Sequence, residues 1–474
     1  MRPRNLWRRL RRARAQPIRR ESERTREVDL RITRTLFEQV RLHVEDFSRG
    51  EEAGFLICGH GALHDRDVLL AREWHPVPAS ELNRGAEGSV LAWSASFNSE
   101  ILERCLELDC TPVLVHSHGT ANPRFSGDDR ARERPLFGAI SRITEPLPTG
   151  SLLLGSGDAI GSFWVDGAND RRLGRLIVIG QSIESWPASD ATPGAPRTGT
   201  RLNRQTLAIG PASEEKLATA TVAVVGISGG GSHAIGQLAH QGIGTLIAVD
   251  DDTVDESNLG RLIGATEADI DTTLKVDVAE RVAAGVDSSM RVVKIPERFP
   301  SPASIEALRG ADVIVSCVDR LDSREAINEL TRRYLIPLID VGMSIRSNGE
   351  RLASADGQVI ASLPGWACLR CWFLTDADLA AEQRDAPAGY DRNADATGAA
   401  QVVSMNGVLA SEACNCVLDL VTGYSAGRRG ALVWQYEGRS GHLEPCELPT
   451  RRPACPACAQ EGHGDPPSNR ERKD

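Results

Sequence analysis

Val222-Ala-Val-Val-Gly226-Ile-Ser-Gly229-Gly230-Gly231 decides the fold of the larger part of this chain. A short apolar, β-branched run enters a glycine cluster, and helical spacing resumes at about Gly231, which reads as strand, tight turn and helix. Backbone N–H groups at such a helix start attract phosphate by proximity and through the helix dipole. The next strand, Thr245–Val249, ends against Asp250, about 24 residues after Gly226, where a carboxylate suits ribose hydroxyls. Gly226, Gly229, Gly231 and Asp250 are therefore candidate nucleotide-binding residues. The glycine run alone would equally fit a dinucleotide oxidoreductase, and Ser228 stands where glycine is usual.

Outward from this turn, strands alternate with helical patterns, with a further strand at Val313–Ser316. Such alternation predicts a doubly wound α/β domain with a mostly parallel sheet covered on both faces. Three more stretches sit at fixed places in it: Asp250-Asp-Asp252-Thr-Val-Asp-Glu-Ser257-Asn258-Leu-Gly-Arg261, then Lys275, then Cys317-Val-Asp319-Arg-Leu-Asp-Ser-Arg324. Arg201-Leu-Asn-Arg204-Gln205 precedes them. This ordered set, spanning about residues 200–460, is similar to the ThiF/MoeB and ubiquitin-activating-enzyme family.

The resemblance implies adenylation of a carboxylate by ATP with Mg²⁺, in a Rossmann-like domain. Asp252, Ser257 and Asn258 would line the nucleotide site, and Asn258 would position the phosphates. Arg261 and Lys275 would supply fixed positive charge where phosphate oxygens gain charge. Lys275 is one of four lysines among 55 basic residues, so its place in the motif is informative. Asp319 would hold Mg²⁺. In the family, the arginine matching Arg204 reaches into the partner subunit's site, which implies a homodimer.

Cys368-Leu-Arg-Cys371 and Cys455-Pro-Ala-Cys458 are two Cys-x-x-Cys knuckles. Four thiolates close a tetrahedral zinc site to water, which makes it structural; redox-active pairs are the alternative, without a thioredoxin-like context to favour them. Many relatives carry a thioester-forming cysteine after the first knuckle, but none occurs here between Trp372 and Met405. Cys414 and Cys416 lie in a helical stretch, Leu409–Val421, and read as core; Cys446 sits near the second knuckle. The activated carboxylate would stop at the acyl-adenylate, pass to another protein's nucleophile, or use a hydroxyl such as Thr397.

The first half holds a second constellation. In Val113-Leu-Val-His116-Ser-His118, residues i and i+2 of a strand face one way, so both histidines can hold one ion. Ser126-Gly-Asp-Asp129 supplies a third ligand in Asp129, with Asp128 as the neighbouring candidate. Three protein ligands leave a fourth position for water, whose pKa zinc lowers to about 7. Glu51 and Glu52 both precede the strand Gly54–Cys58; Glu52, which opens the run Glu-x-Gly-x-Leu-x-x-Gly, is the expected base, and Ser126 the expected oxyanion donor. Glu52, His116, His118, Ser126 and Asp129 together resemble the JAMM (MPN-plus) metalloprotease motif, which implies a JAB/MPN-type α/β domain over about residues 30–165 and isopeptidase chemistry.

Composition frames both. The chain has 474 residues, net charge −10, 41% hydrophobic and 25% charged residues, an ordinary globular balance for two or three domains. It contains no apolar run of about 18 residues, which excludes a membrane-spanning helix. Residues 1–26 carry eleven arginines and two glutamates without an apolar segment behind them, so residues 1–27 read as a basic disordered tail, not a secretory signal. The acidic remainder argues against nucleic acid as the main substrate. Val28 to His43 shows helical spacing at Ile32, Leu36 and Val40. The expected layout is a JAMM domain at 28–185, a Pro- and Ser-containing linker at 186–200 and the adenylation domain at 201–474, in the cytosol. Both halves meet if the substrate is a ubiquitin-like protein, trimmed or released by one and activated by the other, with a conjugating enzyme downstream. A sulfur-carrier protein is the alternative substrate, and a modifier-binding scaffold without turnover the non-enzymatic one.

Overall fold

The computed structural model describes residues 27–45, 51–84, 91–118, 123–187, 201–347, 351–385, 400–425, 432–447 and 450–466. The Arg-rich tail, residues 188–200 of the expected linker, and Thr397 lie outside them. Contacts divide the chain into two units: Met1–Gly194 with Arg333–Leu335 and Gln460–Asp474, and Ala195–Arg332 with Ile336–Ala459. No helix among the described residues is long and apolar enough to cross a membrane.

The first unit opens with β1 (Glu27–Thr33) and α1 (Arg34–Val44). One helix from Val28 was expected; instead Val28, Leu30 and Ile32 alternate inward as a strand, and Thr33 caps the helix by accepting a hydrogen bond from the Leu36 amide. Ile32, Leu36 and Val40 share helical spacing only by straddling that junction. β2 (Ala53–Ala62), β3 (Asp67–Pro76), a short pair β4 (Asn83–Arg84) and β5 (Leu91–Ala92), α2 (Ala95–Leu108) and β6 (Thr111–Ser117) follow. Then come α3 (Gly127–Ile143), β7 (Thr149–Leu154), β8 (Ala159–Val165), β9 (Ala168–Ile179) and β10 (Ile183–Pro187), so the expected linker begins inside a strand. The sheet runs β1-β3-β2-β6-β7-β8-β9-β10, and β1 also pairs with β9, closing it on itself. Alternate side chains of β2 and β6 feed two cores. Leu56, Cys58, Val113 and Val115 pack with Phe37, Val40 and Val44 of α1. Ala53, Phe55, Ile57 and Leu114 pack with Phe97 and Ile101 of α2 and Phe137 of α3. Burying each such Val, Leu, Ile or Phe side chain contributes about 1.5–3 kcal/mol.

The second unit contains α4 (Asn203–Ile209), α5 (Pro211–Thr219), β11 (Thr221–Val225), α6 (Gly229–Gln241), β12 (Thr245–Val249), α7 (Lys275–Val286), β13 (Arg291–Ile295), α8 (Pro302–Arg309), β14 (Val313–Ser316) and α9 (Leu321–Arg333). β15 (Leu338–Ser347) and β16 (Leu352–Ser362) precede the 20-residue helix α10 (Val403–Thr422), and β17 (Val433–Glu437) and β18 (His442–Cys446) end the sheet. Its order is β13-β12-β11-β14-β15-β16-β17-β18. β11 to β15 pair in parallel, as expected, but β16, β17 and β18 extend the sheet antiparallel. From β11 the strand order runs outward one way to β12 and the other way to β14, and ligands of such sheets bind at that switch point, beyond the carboxyl ends of the strands.

Candidate functional site

The metal-type cluster of the first unit is built on β6 and the start of α3. His116, His118 and Asp129 each place a donor atom within 4.8 Å of the others. Asp129 Oδ1 lies 3.6 Å from His116 Nε2, and Asp129 Oδ2 lies 3.4 Å from His118 Nε2. Both ring nitrogens of His116 are enclosed without a hydrogen-bond partner, which suits them to a cation. Burial works to raise the Asp129 carboxyl, but the two imidazoles outweigh it and hold the acid well below the usual range. The residues fit a three-ligand zinc site. Asp128 is exposed and outside the group.

Ser126 is the N-cap of α3. Its Oγ accepts from the Asp129 amide at 3.1 Å, and Asp129 Oδ2 accepts from the Ser126 amide at 2.7 Å. This reciprocal cap fixes the Asp129 rotamer and leaves the serine hydroxyl proton free to donate.

β2 settles which glutamate faces the cluster. Ala53 pairs with His116 across the β2–β6 ladder, so both side chains lie on one face, and Glu51 shares it by period two. Burial raises the Glu51 carboxyl, with His118 and His116 pulling the other way. Glu52 turns to the opposite face, nearly buried, its carboxylate 3.8 Å from His43 of α1. The geometry therefore places Glu51, and not the expected Glu52, on the side of the cluster.

Further along α3, Glu133 is 4% exposed and its Oε1 has no hydrogen-bond partner. Burial pushes this carboxyl up to about 7 from 4.5. A raised acid costs the fold nothing below its unfolded pKa and destabilises it as pH climbs from about 4.5 to 7. Glu133→Gln is expected to raise the thermal midpoint at pH 8, by on the order of 3 kcal/mol of stability, and to leave it unchanged near pH 4. Calorimetry at both pH values checks this.

In the second unit the glycine turn sits at the switch point. Gly226 has φ +86°, and a Cβ there would stand 2.9 Å from the Cys317 carbonyl oxygen, so β11 and β14 leave no room for a side chain. A Cβ on Gly231 would stand 1.9 Å from the Gly226 oxygen, and one on Gly229 would stand 2.3 Å from Asn406 Nδ2. Such a tight turn, opening α6, fits a phosphate-bearing nucleotide. Asp250 has both oxygens engaged by backbone: Oδ2 accepts from Ile227 N–H at 2.6 Å and Oδ1 from Asp252 N–H at 3.0 Å. It thus shapes the glycine turn itself, besides the ribose role expected from sequence. Burial raises its carboxyl to about 6, with Lys275 opposing.

Lys275, buried at the start of α7, places Nζ 2.6 Å from Asp252 and 3.9 Å from Asp250. Burial works against its charge, but those two carboxylates outweigh burial and raise its pKa. Arg261 donates through Nε to Ser228 Oγ at 3.3 Å and through Nη1 to the Ser257 carbonyl at 3.0 Å. Ser228, the departure from glycine, is thus the anchor of the motif arginine, a role sequence reasoning missed. Asn258 is buried, and its Oδ1 accepts from Asp255 N–H at 3.2 Å, capping a short 3₁₀ turn. Ser257 is exposed beside it. Asp319 is exposed beyond β14 and joins no three-ligand group among the described residues. Its loop is held by Arg324, which donates to the Val318 and Val341 carbonyls and pairs with buried Asp340 at 3.2 Å. Arg204 is exposed on α4, a helix without buried residues, where Leu207 is 88% exposed.

Cys368, Cys371, Cys455 and Cys458 converge, all buried. Their Sγ separations of 3.9, 3.5 and 3.7 Å match the edge of about 3.8 Å that four thiolates at about 2.3 Å from zinc would show. Cys368 is drawn far below the ordinary thiol range by its neighbour Cys458, with Arg332 adding positive charge. Cys368→Ser is expected to remove one zinc per chain and lower the thermal midpoint of this unit by about 10 °C or more, because structural metal binding is folding free energy. Metal analysis together with calorimetry tests it. Cys414 and Cys416 are buried in α10, as expected.

The ThiF family profile matches residues 202–457, and that of prokaryotic homologs of the JAB domain matches residues 33–164. The chain is 31% identical over 165 residues to the SAMP-activating enzyme E1 of Haloferax volcanii, covering 35% of this chain and 57% of that protein. It is 28% identical over 299 residues to the mouse (Mus musculus) adenylyltransferase and sulfurtransferase MOCS3, covering 61% and 60%. It is also 28% identical over 276 residues to the sulfur carrier protein adenylyltransferase of Thermus thermophilus, covering 58% of this chain and 94% of that protein. The first two relatives are thus matched over less than two thirds of their length. The chain belongs to the ThiF family and carries, ahead of its ThiF domain, a domain homologous to JAB.

Proposed function

We propose that the chain is a bifunctional enzyme of a ubiquitin-like modifier pathway, in which the JAB unit cuts after the modifier's tail and the ThiF unit adenylates the carboxylate so exposed. One observation carries it: a His-His-Asp cluster faced by a glutamate and a tight glycine turn beside a buried lysine occur in one polypeptide.

In the JAB unit, His116, His118 and Asp129 would hold zinc, which supplies Lewis acidity and water activation. Glu51 takes the proton of the attacking water and returns it to the leaving amine. Ser126, its hydroxyl proton unused by the cap, donates to the developing oxyanion. In the ThiF unit, Lys275 and Arg261 meet the phosphates above the glycine turn, Asn258 and Ser257 border them, and Asp319 offers its carboxylate for Mg²⁺. Exposed Arg204 and Leu207 on α4 suit a homodimer in which this helix covers the partner's site.

Burial raises Cys317 to about 12 and lifts Cys414 and Cys416 out of the nucleophilic range. Burial thus counts against each of these three as a thioester nucleophile, which supports transfer of the acyl group from the adenylate straight to an acceptor such as a conjugating enzyme, with AMP leaving. Free thiols throughout suit the cytosol. The names of the mouse and Thermus relatives favour a second substrate, a sulfur-carrier protein, handled by the same residues. ATP–pyrophosphate exchange stimulated by a ubiquitin-like protein with a diglycine end tests the proposal. Exchange absent with ubiquitin-like and sulfur-carrier proteins alike, in zinc-replete protein, would refute it.

A further inference from the structure

Beside the His116, His118 and Asp129 cluster, and sharing α3 with it, the first unit holds an open cavity of about 1060 Å³. Phe125 forms part of its wall, and the Phe125 ring lies 6.2 Å from that of His116, centroid to centroid. Arg130 directly follows the ligand Asp129, and Glu133 and Arg134 line the next turn of the helix. β8 and β9 form the facing wall, with Arg171 and Arg172. The cavity is several side chains in volume, the size of a site for a drug-sized ligand or a short peptide.

Its charges are unbalanced. Arg171 pairs with Asp67 at 3.0 Å, and Arg172 pairs with Glu27, also at 3.0 Å. Arg130 and Arg134, one turn apart on the exposed face of α3, have no ion pair among the described residues. Glu133 is the second sign of a ligand site: it is enclosed, its Oε1 has no hydrogen-bond partner, and it lines the cavity. Because burial lifts its carboxyl to about 7, much of it is protonated at neutral pH and offers a proton to an acceptor instead of repelling an anion. Two exposed guanidiniums, of which Arg130 also acts on Glu133, and one donating carboxyl suit carboxylate oxygens, which planar guanidinium forks bind in pairs.

We propose that this cavity is a subsite for an acidic polypeptide segment, holding aspartate or glutamate side chains of the substrate next to the bond presented to the metal cluster. It rests on the reading of that cluster as a peptide-bond hydrolase. Selection then operates through the flank of the cleaved bond: substrates with acidic residues there dwell at the cluster, and those with basic residues are turned away by Arg130 and Arg134.

The test uses the full chain bearing Glu51→Gln, so that binding is read without turnover. A fluorescein-labelled peptide of Asp-Gly repeats and its Asn-Gly counterpart are titrated by anisotropy at low and moderate salt. The acidic peptide is expected to bind at least about tenfold more tightly than the neutral one, less so as salt rises, and Arg130→Glu with Arg134→Glu should erase the preference. Both arginines are exposed, so the reversal should leave the thermal midpoint in place; Arg130→Ala with Arg134→Ala, expected to reduce the preference, is the milder second variant. Equal binding of the two peptides, or a preference that survives charge reversal, overturns the subsite. Cleavage by the unmutated chain is followed separately. Acidic-peptide binding without any cleavage would refute the hydrolase and keep the subsite, whereas cleavage indifferent to acidic flanks would refute the subsite and keep the hydrolase.

Discussion

Glu51→Gln is expected to lower peptide-bond cleavage about a thousandfold, while Glu52→Gln retains most of it. A positioned general base contributes on the order of 10² to 10⁴ in rate, and glutamine keeps the shape of glutamate but cannot take a proton. The assignment follows from register. Ala53 lies opposite His116, and two residues back along an extended chain the side chain returns to the same face. Electrostatics agrees, since the groups acting on Glu51 are His118, His116 and Asp129, whereas Glu52 lies by His43 under α1. Glu51→Gln should leave zinc content and ATP–pyrophosphate exchange intact, because it touches neither ligand set. Glu52→Gln changes a nearly buried group and should appear as a loss of about 1–3 kcal/mol in unfolding, with cleavage nearly normal once the protein is folded. Steady-state cleavage of a modifier fusion with both variants decides it. An inactive Glu52→Gln beside an active Glu51→Gln would mean that β2 lies one residue out of the register described.

That choice marks the limit of what the sequence alone made legible. Histidines two apart on one strand, thiols three apart in a knuckle, and glycines at a strand–helix turn are local patterns, and the fold brings each of these groups together. Glu51 against Glu52 depends on pairing between distant strands, and β2 is buried on both faces, so no polar alternation betrays which side is which. β1 was hidden differently: Val28, Leu30 and Ile32 do alternate with Asp29 and Arg31, but Ile32, Leu36 and Val40 keep helical spacing across the strand–helix junction and drew the strand into the helix. In the ThiF unit, the Ser228–Arg261 and Arg324–Asp340 pairs join residues 33 and 16 positions apart, and no spacing rule announces them. Ser228 gave a signal only as a deviation, a side chain with a hydroxyl where the turn would ordinarily have none.

Lys275→Ala is expected to reduce ATP–pyrophosphate exchange by at least about a hundredfold while leaving cleavage by the JAB unit unchanged. The lysine is a fixed charge in a site largely withdrawn from water, and removing one such preorganised donor costs about 10² to 10³ in turnover. Its removal also leaves carboxylates behind. Asp250 is 9% exposed, and Lys275 is the charge that restrains its rise to about 6. Without that ammonium the Asp250 pKa climbs further above the unfolded value near 3.8. An acid raised on folding costs nothing below its unfolded pKa and destabilises as pH rises through the folded one. The variant should therefore lose more stability relative to the unmutated chain at pH 8 than at pH 5, a pH signature that loss of an exposed charge would not produce. Lys294 is the internal comparison: it pairs with Asp277 and Glu280 on the outer side of α7, and Lys294→Ala should leave exchange within about twofold. Lys275→Arg restores the charge but not the compact ammonium and should recover only part of the rate. Exchange by Lys275→Ala at more than a tenth of the normal rate would show that Arg261 and the glycine turn hold the phosphates without it.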